Sequence, residues 1–224
     1  MMLTWIPDVL RAAGLVVVEY DGWQTRTTRA TGLTVHGVVC HHTVTPPSTS
    51  NTAVARLLAN GRSDLKGPLS QLGLDRDGHF WMIAAGRCSH NGYATQPSPP
   101  WGNDSIGIEA FNDGTGEPWP AVQVDAFQRG AAALLEHVGL TAAQCMGHRE
   151  TDPGRKVDPR GIDMDAFRAS VADLMEDDMG LSEADKTWIA QQLHETRVWV
   201  RAELGTGDTA SAKSLFSRLK ALLK

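Results

Sequence analysis

The sequence contains few cysteines, and their spacing suggests no pairing. Among 224 residues there are three, Cys40, Cys88 and Cys145, and none belongs to a Cys-x-x-Cys motif. An odd, widely spaced set argues against a disulfide framework, so the fold has to be held together by a hydrophobic core. We therefore predict that each cysteine is a small core residue.

Long apolar runs and clustered charge are also missing. Apolar stretches such as residues 15–18 are far shorter than the roughly 20 residues that cross a bilayer. The chain has 21 basic and 26 acidic residues, a net charge of −5, and its basic residues are scattered, which argues against a nucleic-acid partner. Residues 1–14 contain Asp8 and no basic cluster, unlike a secretory signal. We expect a protein that is made and kept in a cytosol, without membrane insertion.

Hydrophobic spacing predicts a mixed body over residues 1–175. Four segments have the composition of β-strands: 34–40, 71–74, 79–83 and 105–111. The second and third flank Asp77-Gly78, a strong short-range signal for a hairpin of two antiparallel strands. In the fourth, isoleucines alternate with other residues, so Glu109 is predicted to face away from them.

Helices are predicted between these strands. Apolar residues recur at helical spacing in three segments: 50–60, 124–138 and 163–175. Gly139 follows the second segment and marks its end. Because strands and helices interleave, we predict an α/β fold in which helices cover a mixed central β-sheet.

The C-terminal part of the chain has a different character. Residues 176–181 are charged and predict a linker, and a capping-box pattern begins at Ser182. Two apolar stripes then predict a small helical hairpin over residues 182–224, too short to bury a strong core alone. We expect it to pack on the body or to self-associate, and we favour a homo-oligomer formed through these helices.

One combination of residues points to metal chemistry. His41 and His42 end a predicted strand, and His148 and Asp158 lie on a predicted loop rich in proline and glycine. Two imidazoles and one carboxylate, with a fourth position left for water, form the ligand set of a catalytic zinc site. Since consecutive strand residues point to opposite faces, at most one of His41 and His42 can bind that metal.

Four blocks of the sequence resemble one known family. They are VVCHHTVT at 38–45, GPLSQLGLDRDGHFWMIAAGRCSHNG at 67–92, SIGIEAF at 105–111 and GHRETDPGRKVDP at 147–159. In this order they resemble the zinc-dependent N-acetylmuramoyl-L-alanine amidases of the amidase-2 family, which are related to peptidoglycan recognition proteins. The block at 67–92 looks especially like the amidase modules of bacteriophage endolysins of actinobacterial hosts. The resemblance covers residues 33–175 and implies the amidase-2 fold.

The resemblance also implies a role for each matching residue. It assigns one zinc ion per chain to His41, His148 and Asp158. It implies that Glu109 is the general base and that Lys156 stabilises negative charge in the transition state.

Further positions match less specific parts of the family pattern. His90, Asn91 and His42 are implied as substrate contacts. Many relatives carry a tyrosine-histidine pair where this sequence has Ser70 and Gln71, so the role of that tyrosine cannot be transferred. The assignment of Glu109 as the general base becomes more important for this reason.

The implied function is hydrolysis of the amide bond between N-acetylmuramic acid and L-alanine in bacterial peptidoglycan. The endolysin-like block favours a phage enzyme for host cell lysis, which waits in the host cytoplasm and reaches the cell wall after holin-type release. Two alternatives remain open. One is a peptidoglycan-binding protein without catalysis, and the other is a cytosolic amidase that recycles muropeptides.

Overall fold

The computed structural model describes residues 2–29 and 33–179, in which helices and strands alternate. The elements are α1 (Ile6–Ala12), β1 (Val17–Glu19), β2 (Val38–His42), α2 (Asn51–Asn60), β3 (Leu72–Leu74), β4 (Phe80–Met82), β5 (Ile106–Ala110), α3 (Ala121–His137), β6 (Cys145–Gly147), α4 (His148–Thr151) and α5 (Met164–Met179). A 3-10 turn, Ala142–Gln144, lies between α3 and β6.

The strands form one mixed sheet. Its six strands have the order β1-β4-β3-β5-β2-β6. β3 and β4 are antiparallel, and Gly78 in the turn between them has a φ of +81°, which glycine adopts without strain. The other neighbouring strands are parallel. The predicted α/β fold with a mixed sheet, and the predicted hairpin within it, are therefore confirmed.

The larger hydrophobic core lies between one face of the sheet and three helices. Alternate residues of β2 and β5 enter it, and α1, α3 and α5 supply the opposing side chains. The contributing residues include Leu10, Val38, Cys40, Ile106, Ile108, Phe127, Leu134, Phe167 and Val171. The rings of Phe127 and Phe167 pack edge to face, with centroids 5.2 Å apart. As predicted, all three cysteines are buried and free.

A smaller core involves α2. It contains Val54 and Leu58 of this helix together with Leu69, Ile83 and Phe111. The helix is the one predicted over 50–60, and the Ser50 hydroxyl caps it by accepting a hydrogen bond from the Ala53 amide. Because side chains alternate along a strand, residues of β2 and β5 that do not enter the larger core point away from it. His41 and Glu109 are such residues.

Some predicted boundaries differ from the structure. β2 begins at Val38 instead of residue 34, and His41 and His42 are its last two residues. Helix α5 continues to Met179, into the segment 176–181 that was predicted as a linker. Glutamate and methionine have high helix propensities, so a charged composition alone did not end the helix. The hairpin predicted for residues 182–224 lies outside the described residues and stays a prediction.

Four elements were not predicted: α1, β1, β6 and α4. Leu3, Ile6 and Leu10 of the N-terminal segment are buried and have the spacing of one helical face, which was the available signal for α1. β1 and β6 have three residues each, too few to show a period. No helix in residues 2–29 or 33–179 is both long and apolar enough to span a membrane.

Asp75 holds the hairpin in place, which gives a first prediction. Its side chain is 1% exposed and accepts hydrogen bonds from the backbone amides of Asp77 and His79, from Asn51 and from the Trp81 indole. Asp75→Ala leaves these donors without their acceptor, so we expect a loss of about 2–4 kcal/mol in the free energy of unfolding. Urea denaturation measures it.

The control is Asp77→Ala, a change of the same type at an exposed position of the same turn. We expect Asp77→Ala to lower the free energy of unfolding by about 0.5 kcal/mol or less. Equal losses of unfolding free energy in the two variants would show that Asp75 does not hold the hairpin.

Candidate metal centre

The pleat of β2 separates its two terminal histidines. His41 is 1% exposed and lies in register with Glu109 of the parallel strand β5. His42 is directed to the other side, where its Nδ1 atom accepts a hydrogen bond from the Arg160 amide at 3.1 Å. Its ring packs directly against Gly114. The prediction that at most one of the two histidines joins a metal cluster agrees with this arrangement.

His148 reaches the site because β6 is parallel to β2. Gly147, the last residue of β6, pairs with Cys40, so His148 emerges beside His41. The sequence placed His148 on a loop, but it begins the single-turn helix α4, which is too short to show helical periodicity. Glu150 caps this turn by accepting a hydrogen bond from the Gly147 amide at 2.7 Å, and Arg168 of α5 donates to the same carboxylate at 2.8 Å.

Asp158 is held beside α4 by the backbone and side chain of Arg149. The Arg149 amide donates to the carbonyl oxygen of Asp158 at 2.8 Å. Its guanidinium donates to the carbonyl oxygens of Pro159 and Ile162. One residue of α4 thereby fixes the loop that carries the carboxylate.

These elements bring His41, His148 and Asp158 together, as the sequence predicted. The two Nδ1 atoms are 2.9 Å apart, and each lies 3.0 Å from Asp158 Oδ2. Atoms that share a tetrahedral zinc ion at about 2.0–2.2 Å are about 3.2–3.6 Å from one another. If these two nitrogens and the carboxylate oxygen moved slightly farther apart, they could therefore share the ion. Imidazole nitrogens and carboxylate oxygens are also donors that zinc prefers.

The charge states of the cluster also suit a cation. Burial, together with the neighbouring His148, lowers the pKa of His41 to about 4. Burial opposes ionisation of Asp158, but the contacts of its carboxylate with the imidazoles of His148 and His41 outweigh burial and hold its pKa well below the usual range. At neutral pH the cluster therefore offers an uncharged His41 and an ionised Asp158, the forms that bind a metal.

The cluster opens into a pocket between the sheet edge and α2. Apolar side chains line one part of this pocket, and polar and charged side chains line the rest. The lining residues are His42, Thr43, Val44, Leu57, Leu58, Arg62, Leu65, Leu69, Ser89, His90, Glu109, His148, Lys156 and Asp158. A pocket with an apolar wall and a few convergent polar groups is typical of a binding site for a small ligand or chain segment.

Glu109 and Lys156, the two predicted catalytic residues, both line this pocket. Burial raises the pKa of Glu109 to about 8, and the charge of Asp158 adds to this effect, whereas Lys156 and Arg62 act in the opposite direction. Within the described part of the chain, Glu109 Oε2 is buried without a hydrogen-bond partner. A carboxyl group that exchanges its proton near neutral pH suits general acid–base chemistry.

The three predicted substrate contacts differ in their positions relative to the pocket. Asn91 is fully buried and does not line the pocket. Its side chain donates to the Gly102 carbonyl at 3.1 Å and accepts from the Thr151 hydroxyl at 2.7 Å, so it joins loops below the surface. His90 does line the pocket, but both ring nitrogens are engaged, one with His41 and one with the Ser105 carbonyl. The third predicted contact, His42, lines the pocket.

Ser70 and Gln71, where many relatives carry a tyrosine-histidine pair, are fully buried. They bond to the backbone of Gly107: Ser70 Oγ donates to its carbonyl at 2.8 Å, and Gln71 Oε1 accepts from its amide at 2.8 Å. The pocket also contains Arg62, which the sequence analysis did not single out. A single arginine after a helix forms no pattern, so the sequence held no signal for it.

The chain matches a known protein family over its central part. Residues 31–161 match the Amidase_2 family, described as N-acetylmuramoyl-L-alanine amidase. This match covers more than half of the chain and contains His41, Glu109, His148, Lys156 and Asp158. A comparison with curated proteins found no match.

Several solved structures are similar in fold. The N-acetylmuramoyl-L-alanine amidase LysC from Clostridium intestinale is 15% identical with a TM-score of 0.54, over 69% of this chain and 96% of that one. The hydrolase AmiA from Staphylococcus aureus, solved with its ligand, is 14% identical with a TM-score of 0.53, over 79% and 93%. AmpD is 22% identical with a TM-score of 0.51, over 70% and 93%. At these identities the likeness establishes the fold.

The contacts of Arg149 generate a second prediction. Arg149→Met keeps the aliphatic part of the side chain but removes the guanidinium that donates hydrogen bonds to Pro159 and Ile162. The loop that carries Asp158 therefore loses its anchor. We expect a loss of about 1–3 kcal/mol in the free energy of unfolding and faster amide hydrogen exchange in residues 157–162.

Arg56→Met is the matched control, because this arginine lies at an exposed position of α2. We expect the free energy of unfolding to change by about 0.5 kcal/mol or less, with no increase in exchange at residues 157–162. If Arg149→Met leaves that exchange unchanged, the anchor lies elsewhere.

Proposed function

Since the chain belongs to the N-acetylmuramoyl-L-alanine amidase family Amidase_2, we propose that it is a zinc-dependent enzyme that cleaves the amide bond between N-acetylmuramic acid and L-alanine in bacterial peptidoglycan. The observation that carries the proposal is the convergence of His41, His148 and Asp158 within 3.0 Å. His148 and Asp158 of this cluster line a pocket that Glu109 and Lys156 line as well.

The three ligands and the two further side chains divide the chemistry between them. Zinc bound to His41, His148 and Asp158 would acidify water and polarise the substrate carbonyl. Glu109 takes the proton of the attacking water and passes it to the leaving nitrogen of L-alanine, so a C–O bond forms as the C–N bond breaks. The positive charges of Lys156 and Arg62 favour the carboxylate form of Glu109, which is the form that accepts a proton.

Lys156 also stabilises the transition state in this proposal. Negative charge develops on the carbonyl oxygen during the attack, and an ammonium group in the pocket is attracted to it. One preorganised group of this kind is typically worth about 3 kcal/mol. Lys156 is two residues before Asp158, so the loop anchored by Arg149 carries both a metal ligand and this cation.

For the biological role we propose a phage endolysin, active in host cell lysis after holin-type release from the host cytoplasm. The support is the resemblance of residues 67–92 to endolysin amidase modules. A cytosolic recycling amidase would use the same catalytic residues on small soluble fragments. A binding protein without catalysis would have no use for the complete set of three ligands, Glu109 and Lys156.

Product analysis tests the activity and gives a third prediction. We expect digestion of intact sacculi to release new L-alanine amino termini without new reducing sugar ends. Chelation of zinc should abolish the release, and added zinc should restore it. Cleavage of soluble muropeptides alone would favour recycling, whereas folded, zinc-loaded protein that releases no termini from either substrate would contradict the amidase proposal.

Glu109→Gln gives a fourth prediction. The amide keeps the size of the side chain but cannot accept the proton, so we expect kcat to fall about 10²- to 10⁴-fold. Zinc content should remain at one ion per chain, because Glu109 is not among the three proposed ligands.

The matched control for this variant is Glu176→Gln, at an exposed position of α5, which should keep the parent rate. Glu109→Gln activity within threefold of the parent, with full zinc content, would remove Glu109 from the proposed mechanism.

A further inference from the structure

We propose that His90 is a positioning residue that holds His41 in the tautomer whose Nδ1 atom presents its lone pair to the metal. The inference rests on the metal site of the proposed function and adds a residue that is not itself a ligand. Its basis is a chain of hydrogen bonds from a backbone carbonyl through two histidine rings to the ligand cluster.

The two ring nitrogens of His41 have separate partners. Nδ1 faces His148 and Asp158, as described above, whereas Nε2 lies 3.1 Å from His90 Nδ1. The two rings meet edge to face, with centroids 5.2 Å apart. On its far side, His90 Nε2 lies 3.1 Å from the carbonyl oxygen of Ser105. The contacts therefore run from Ser105 through His90 to His41.

The Ser105 carbonyl, at the end of this series of hydrogen bonds, determines which ring nitrogen carries each proton. A carbonyl oxygen only accepts hydrogen bonds, so His90 Nε2 must carry a proton. Both rings are buried, which favours their uncharged forms. An uncharged His90 then has a bare Nδ1, which accepts a hydrogen bond from the N–H group at His41 Nε2. His41 in turn has a bare Nδ1 that faces the cluster, the form a metal ligand requires.

The opposite arrangement is electrostatically unfavourable. If His41 carried its proton on Nδ1, its bare Nε2 would have to accept a hydrogen bond from an N–H group at His90 Nδ1. An uncharged His90 would then place a bare Nε2 at 3.1 Å from the Ser105 carbonyl oxygen, and two acceptors would face each other without a hydrogen. The position of Ser105 thus selects one tautomer for both rings.

The surroundings of His90 keep its ring in this place. A Cβ atom on Gly107 would lie 2.8 Å from the His90 ring, so the ring packs against the bare backbone of β5. The Asn103 side chain accepts a hydrogen bond from the His90 amide at 3.1 Å. Backbone and ring are therefore both fixed, as expected of a residue that orients a ligand.

Zinc affinity tests the proposal and gives the fifth prediction. His90→Phe keeps an aromatic ring but offers no acceptor to His41 Nε2, and His90→Asn keeps an acceptor oxygen near the position of Nδ1. Loss of an outer partner of a metal-bound histidine typically weakens affinity by about 10- to 100-fold. We expect that loss for His90→Phe and a smaller one for His90→Asn, measured by competition with a chromophoric chelator.

The matched control is His137→Phe, because His137 stacks on Trp5 with centroids 4.0 Å apart and phenylalanine can keep that contact. Its zinc affinity should equal that of the parent. Parent affinity in folded His90→Phe would overturn the proposal while leaving the metal site intact. If the parent chain itself binds no zinc, the metal site of the proposed function fails, and the positioning role fails with it.

Nuclear magnetic resonance of the parent chain gives a second, independent test that needs no variant to fold. Long-range proton–nitrogen correlations in the imidazole rings identify which nitrogen carries the proton. We expect the proton on Nε2 in both His41 and His90 of the zinc-loaded protein. A proton on Nδ1 of either ring would contradict the inferred chain of hydrogen bonds.

Discussion

The site depends on the parallel pairing of β2 with β5 on one side and β6 on the other. Parallel strands end at the same edge of a sheet, so residues far apart in sequence meet there without long loops. The register places His41 opposite Glu109 and Cys40 opposite Gly147, so His148 meets His41 across 107 positions. A shift of the register by one residue would turn His41 towards the larger core.

The strands that carry the site are stabilised on their other face. Burial of His41, His148 and Asp158 is costly for each group alone, and one carboxylate oxygen cannot satisfy both imidazoles fully. The same strands bury Val38, Cys40, Ile106 and Ile108 completely. A large buried apolar side chain contributes about 1.5–3 kcal/mol. The sheet can therefore hold an electrostatically strained cluster that a cation would complete.

Those features of the fold and of the site that correspond to a local sequence pattern could be predicted from the sequence. The alternation of residues 105–111 placed Glu109 on the face opposite the isoleucines, and the Asp77-Gly78 turn gave the only antiparallel pair of strands described. The single-turn helix at His148 was too short for any period. The interior position of Asn91 and the contact of His90 with His41 follow from tertiary packing on β5, to which no local pattern corresponds.

The departure from the family pattern at Ser70 and Gln71 has a structural meaning. Their side chains face the backbone of Gly107 instead of the pocket. Gly107 provides the surface against which His90 packs, and Glu109 follows two residues later on the same strand. The hydrogen bonds that Gly107 makes with Ser70 and Gln71 therefore fix the part of β5 on which both His90 and Glu109 depend. In this chain the segment supports the site through the position of β5, and the proposed mechanism therefore assigns the acid–base chemistry to Glu109.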